Sequence, residues 1–160
     1  YTAELEDQAK KLGIAERILF AGDHFDAYRK TTEDGKKRYS IEDGYAWASG
    51  CTYFSTYEGF GNAFVEAVVA RRPIFVNDYE PVYWPDIGSK GFDTVMIRRN
   101  TLTDDAVDAV HEVLTNPERA RTMVEKNFEL GREHFSYEAL EKLLTTLLDS
   151  QGDEFRAQNK

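Results

Sequence analysis

The join Glu58-Gly59-Phe60-Gly61-Asn62 separates two apolar stretches of different period, and few chain folds accommodate such a change. Before it, Thr52-Tyr53-Phe54-Ser55 suits a short buried strand. After it, Phe64, Val65, Val68 and Val69 fall on one helical stripe that ends before Pro73. Strand, glycine turn and helix in that order form the repeating unit of an α/β domain with parallel strands. A helix start has amides without intrahelical partners and carries the positive end of the helix dipole, so this turn predicts a corner that binds phosphate. Gly59 and Gly61 let a ligand approach the backbone closely. The acids Glu58 and Glu66 flank the same corner. A carboxylate repels phosphate, so these two are expected to accept hydrogen bonds from ligand hydroxyls. The helix dipole alone also favours a Glu in an early turn, which is the structural explanation for Glu66.

The remaining chain supplies neighbours for that unit. Thr2 is expected to cap a helix with a stripe of Leu5, Ala9 and Leu12, closed by Gly13. Ile18-Leu19-Phe20-Ala21 reads as a buried strand, with Gly22-Asp23-His24-Phe25 at its carboxyl end, where ligands bind in open α/β sheets. Asp26 to Tyr39 turns polar and reads as a long surface loop whose basic residues form a solvated face. Ser40 and Asp43 predict a capping box for a short helix through Tyr45, Ala46 and Ala48. Ile74-Phe75-Val76 and Asp93 to Ile97 read as further strands. Trp84, between them, is expected to cover an edge of the core. Thr103 and Asn116-Pro117 start two more helices, and Ser136 to Leu148 makes an amphipathic one with five leucines along one side.

Composition narrows the function. A chain of 160 residues with 41% hydrophobic content can bury one core, and its net charge of -9 opposes a general role on nucleic acid or anionic membranes. Cys51 is the only cysteine, which excludes an internal disulfide and fits a reducing, cytoplasmic setting. No run is long and apolar enough for a transmembrane segment. His111 and His134 lack a second ligand at metal spacing, and no metal site is expected.

The pattern of Glu58, the glycine pair Gly59 and Gly61, and a second acid at Glu66 resembles the E-x7-E signature of retaining GT-B glycosyltransferases, especially family four. Ser55 before the turn and Pro73 before the next strand extend the likeness, which covers nearly the whole chain. The resemblance implies the carboxyl-terminal half of a GT-B fold: α/β, a Rossmann-like parallel sheet sandwiched by helices. Residues 1–150 would be one donor-binding domain, incomplete at its amino-terminal edge, and 151–160 a polar frayed tail. The implied activity is transfer of a sugar from a UDP-, GDP- or ADP-sugar to an acceptor hydroxyl, with retention and without a metal or other cofactor. The resemblance assigns Glu58, as the catalytic residue, to hydroxyls of the donor sugar, the Gly59, Phe60, Gly61 and Asn62 backbone to sugar and diphosphate, and Glu66 to the ribose. His24 is a candidate beside the base. The strand and helix that carry the family's basic phosphate-binding pair, and the acceptor-binding amino-terminal domain, are expected outside this chain, leaving it inactive alone.

Two other classes stay open. A dinucleotide-binding oxidoreductase domain would use the same glycines with Asp78 on the ribose, but Phe64 stands where that fingerprint needs a small residue. A non-catalytic nucleotide-binding module is the other, and for it Glu58 has no evident use. Asp78-Tyr79-Glu80 also mimics weakly a metal-holding acid pair.

Overall fold

The structure, a computed structural model, describes residues 1–158, with side chains through residue 150. Its contacts divide the chain into two compact units, Tyr1–Gly44 and Tyr45–Lys160, where the sequence led us to expect one domain over 1–150.

In the amino-terminal unit, α1 (Thr2–Lys11) starts at the residue expected to cap it, one position early. Thr2 is its first helical residue, and the N-cap position, Tyr1, makes no side-chain capping bond. Of the expected stripe, Ala9 is buried while Leu12 is exposed. Ile18 to Ala21 forms no strand. Ile18 is extended in the backbone, but the segment pairs with no ladder among the described residues, and Ile18, Leu19 and Phe20 are exposed. The expected long loop is instead a small antiparallel hairpin of β1 (Lys30–Thr31) and β2 (Lys37–Arg38), in register Lys30 with Arg38 and Thr31 with Lys37. Its turn closes locally: the Thr32 hydroxyl bonds Asp34 and accepts the Lys36 amide. Polar turn residues and Gly35, at φ +79°, were enough to bring the strands together without an apolar face. Half of the expected capping box forms at the start of α2 (Ile41–Trp47), where the Ser40 amide donates to Asp43 Oδ2 at 3.0 Å. Arg29 grips the same carboxylate with two donors.

The carboxyl-terminal unit holds the parallel sheet. Its strands are β3 (Cys51–Tyr53), β5 (Ile74–Asn77) and β7 (Val95–Ile97), in the order β3-β5-β7, with β4 (Tyr57–Glu58) and β6 (Glu80–Pro81) forming a separate parallel pair. Every residue of β5 is buried, as expected of a middle strand covered on both faces. α3 (Asn62–Val69) packs Phe64, Ala67 and Val68 into that core. On the other side β7 joins Phe75, Val113 and Met123 through α4 (Asp104–Thr115) and α5 (Pro117–Phe135). Both helices carry the caps the sequence predicts: Thr103 accepts the Ala106 amide, and Asn116 accepts those of Glu118 and Arg119. Gly131 of α5 lies so close to α3 that a Cβ there would meet Val68 Cγ1 at 2.6 Å.

Asp93 and Thr94, expected in the last strand, precede it. Asp93 is instead fastened to α5, with its carboxylate on Arg119 at 2.7 and 2.8 Å and its backbone on the buried Asn127 carboxamide at 2.7 Å in both directions. Tyr83 and Ile87, on the π-helical turn Tyr83–Ile87, fill the core edge that Trp84 was expected to cover; Trp84 is 47% exposed. α6 (Tyr137–Gln158) follows, capped by Ser136, with its five leucines exposed. Its backbone continues the helix past Gln151, into the stretch expected to be a frayed tail; residues 159 and 160 lie outside the described residues. No helix of the described residues is long and apolar enough to cross a membrane.

Candidate functional site

The glycine turn is built from behind. β4 pairs with β6 in the register Tyr57 with Glu80 and Glu58 with Pro81, which fixes Glu58 at a strand end, partly buried. Gly61 is the N-cap of α3, at φ +112° and ψ +56°, and a Cβ there would collide with the Tyr79 hydroxyl. Both facts demand glycine. The Tyr79 ring is buried, and its hydroxyl donates to the Phe60 carbonyl at 3.1 Å, clamping the turn against the core. Gly59 differs from Gly61: its φ is ordinary and its Cβ position opens onto free space. Phe60, partly buried, packs edge-on against Phe135 with ring centroids 5.5 Å apart. The Asn62 and Ala63 amides, at the positive end of α3, have no acceptor among the described residues.

The two acids meet around tyrosines. Glu66, exposed in the second turn of α3, accepts the Tyr45 hydroxyl at Oε2, 2.9 Å away. Burial and then this Glu66 contact raise Tyr45 well above the ordinary tyrosine range. Burial first, then the Glu58 carboxylate and more weakly that of Glu66, push the Tyr53 hydroxyl up to about 12. Tyr53 in turn stands edge-on to Tyr79, with ring centroids 5.4 Å apart.

Asn77, at the carboxyl end of β5 and 3% exposed, completes the frame. Its Nδ2 donates to the Ser55 carbonyl at 3.0 Å, and its Oδ1 accepts the Asn100 amide at 3.0 Å. Asp78 Oδ1 accepts the Arg99 amide at 2.7 Å, which gives the would-be ribose acid of a dinucleotide site a structural task. Phe64, fully buried and edge-on to Phe92, occupies the position where such a site needs a small residue. Among the described residues no three His, Cys, Asp or Glu side chains are grouped to hold a metal. His24 belongs to the amino-terminal unit, exposed in the 3-10 turn Gly22–His24. Cys51 is half-buried, and burial raises its thiol.

The residues singled out from the sequence, Glu58, Gly59, Gly61, Asn62 and Glu66, lie on or beside this one turn, while Tyr45, Tyr53, Tyr79 and Asn77, which pack or hydrogen-bond around it, were not singled out. The available signal was chemical: an Asn ending a fully apolar strand needs partners when buried, and buried tyrosine hydroxyls seek acceptors.

This α/β architecture of parallel strands flanked by helices matches GT-B glycosyltransferase structures. The structure of WaaG, a glycosyltransferase involved in lipopolysaccharide biosynthesis, superposes with a TM-score of 0.59 at 16% identity, over 89% of this chain and 34% of that one. TarM matches at 0.57 and 21% identity, over 88% and 26%, and a chain of the GtfA/B complex at 0.55 and 21%, over 91% and 27%. In sequence, the chain is 32% identical over 157 residues to mannosylglucosylglycerate synthase of Thermotoga maritima, which covers 91% of this chain. It is also 46% identical over 59 residues to the Petrotoga mobilis enzyme of the same name, covering 37% of this chain. The chain spans 34% of the first relative's length and 14% of the second's. No family model matches the chain.

Proposed function

We propose that the carboxyl-terminal unit is the donor-binding half of a retaining hexosyltransferase that moves a sugar from a nucleotide sugar to an acceptor hydroxyl. The observation that carries this reading is the corner itself: Glu58 ends β4 on one side of the glycine turn, Glu66 stands in the second turn of α3 on the other, and the Asn62 and Ala63 amides between them have no acceptor among the described residues. The amides of Gly59 to Asn62 suit the diphosphate and sugar, Glu58 the sugar hydroxyls, and Glu66 the ribose. The chain's contribution to catalysis is orientation and charge stabilisation, with the leaving phosphate helping to take the acceptor's proton. The relatives' name directs attention to mannosyl and glucosyl donors. An acceptor-binding domain elsewhere in the protein, a cytoplasmic setting, independence from metal, and no turnover by this chain alone belong to the same proposal.

The test is a titration of the chain with ADP, GDP, UDP, their hexose conjugates and NAD, followed by amide shifts. Nucleotide sugars are expected to shift Gly59 to Asn62, and NAD is not; the reverse result overturns the proposal. Glu66→Ala is expected to weaken bare nucleotide and conjugate alike, by about 1.5 to 3 kcal/mol. Glu58→Ala is expected to spare the bare nucleotide and weaken only the sugar's contribution.

A further inference from the structure

Glu66 is exposed on α3, yet its carboxylate is held by a hydroxyl hydrogen bond of good geometry. The Tyr45 ring packs on the core formed around Phe64, Ala67 and Val68, which leaves its hydroxyl little freedom of position. That hydroxyl lies 2.9 Å from Glu66 Oε2 and only marginally, at 3.5 Å, from the Ala63 carbonyl. A carboxylate can only accept, so the tyrosine donates and one lone pair of Oε2 is taken. Two consequences follow for the acid. Its side chain is confined to rotamers that keep this bond, and Oε1 has no hydrogen-bond partner among the described residues.

Resting on the reading of Glu66 as a ribose acceptor, we infer that Tyr45 is a positioning residue which fixes the Glu66 carboxylate for a vicinal diol. The corner thereby distinguishes ribonucleotides from nucleotides that lack both ribose hydroxyls. Two neighbouring hydroxyls need two acceptor sites at a set spacing, and a carboxylate that swings freely must be ordered by the ligand itself. With Tyr45 in place that ordering is complete before binding. The tyrosine touches no ligand; it acts through Glu66.

Two measurements on the chain, wild type and Tyr45→Phe, test this. Phenylalanine keeps the ring that packs on the core and removes only the donor. Without ligand, the three-bond couplings of the Glu66 side chain are expected to report one dominant rotamer in the wild type and averaging in the variant, with the amide spectrum of β5 and β7 unchanged. Averaged couplings in the wild type overturn the inference. With ligand, ADP, GDP and UDP are titrated beside their 2′,3′-dideoxy forms. Tyr45→Phe is expected to weaken the ribonucleotides about fivefold to tenfold and to leave the dideoxy forms within twofold. Equal weakening of both sets, or of neither, overturns it while Glu66→Ala still weakens the ribonucleotides. If Glu66→Ala itself leaves them unchanged, or no nucleotide binds, the ribose assignment has failed and this inference fails with it.

Discussion

Ile74-Phe75-Val76 and Ile18-Leu19-Phe20 look alike as sequence, each a run of three large apolar residues followed by a polar stretch. In the structure they are opposites. The first run is 0, 3 and 0% exposed, in the middle of a parallel sheet; the second is 41, 76 and 39% exposed and pairs with nothing among the described residues. The difference lies outside the runs. β5 has β3 on one side and β7 on the other, each in register over three residues, while Ile18 to Ala21 is offered no strand to pair with. A strand is a relation between segments, and an apolar run states only a readiness to enter one.

Substitution puts this contrast on a scale. Ile74→Ala removes a fully buried side chain and leaves a cavity walled by the sheet and α3, which is expected to cost about 3 to 4 kcal/mol in urea unfolding. A loss below about 1 kcal/mol would mean that the sheet relaxes far more than a close-packed core allows. Gly61→Ala is next, at about 2 kcal/mol, from the positive φ and the collision with Tyr79 together. Tyr79→Phe in the same chain should recover part of that loss. Leu19→Ala is expected to stay within about 0.5 kcal/mol, since the side chain gains nothing from burial in this unit. A loss as large as that at Ile74 would show Leu19 packed in solution and erase the contrast.

The smallest effect is electrostatic. The Arg29 guanidinium, first among the causes, holds Asp43 at about 2 rather than the ordinary 3.8. Because the folded value is the lower one, the pair's contribution is complete above about pH 4 and disappears as the pH falls through 2. The Arg29 side chain is 75% exposed, so this is a marginal share of stability and is sensitive to salt. Carboxyl carbon shifts should show Asp43 titrating near 2, and Arg29→Ala should return it towards 3.8. An unmoved midpoint would remove Arg29 as the cause.

How much of this was legible in the sequence follows from what each feature depends on. α3, α4 and α5 were, because periodicity and caps are local: Gly61, Thr103 and Asn116 stand where the helices begin. β5 was, because a continuous apolar run between breakers has few other fates. The hairpin at Lys30 and Arg38 was not, since its strands are two residues each and carry no alternation to read. At the candidate site, Glu58 and Glu66 declared themselves by spacing around glycines. Their tyrosine neighbours did not, because the Tyr45 to Glu66 contact crosses 21 positions and exists only once α2 and α3 are both folded. Asp78 was legible as an acid after a strand and illegible as a support for Arg99, a role that needs the Arg99-Asn100 turn at positive φ to present its amides.

One carboxamide in that frame carries a mechanical consequence. Asn77 ties the segment after β3 to the turn after β7 while belonging to β5, so the carboxyl ends of all three strands share a fastening only one side chain wide. A shift of the turn at residues 98–101 would strain the Asn100 amide's bond to Asn77, whose other carboxamide atom holds the Ser55 carbonyl, three residues ahead of Glu58. One side chain thus couples the approach to the first acid with the turn beyond β7.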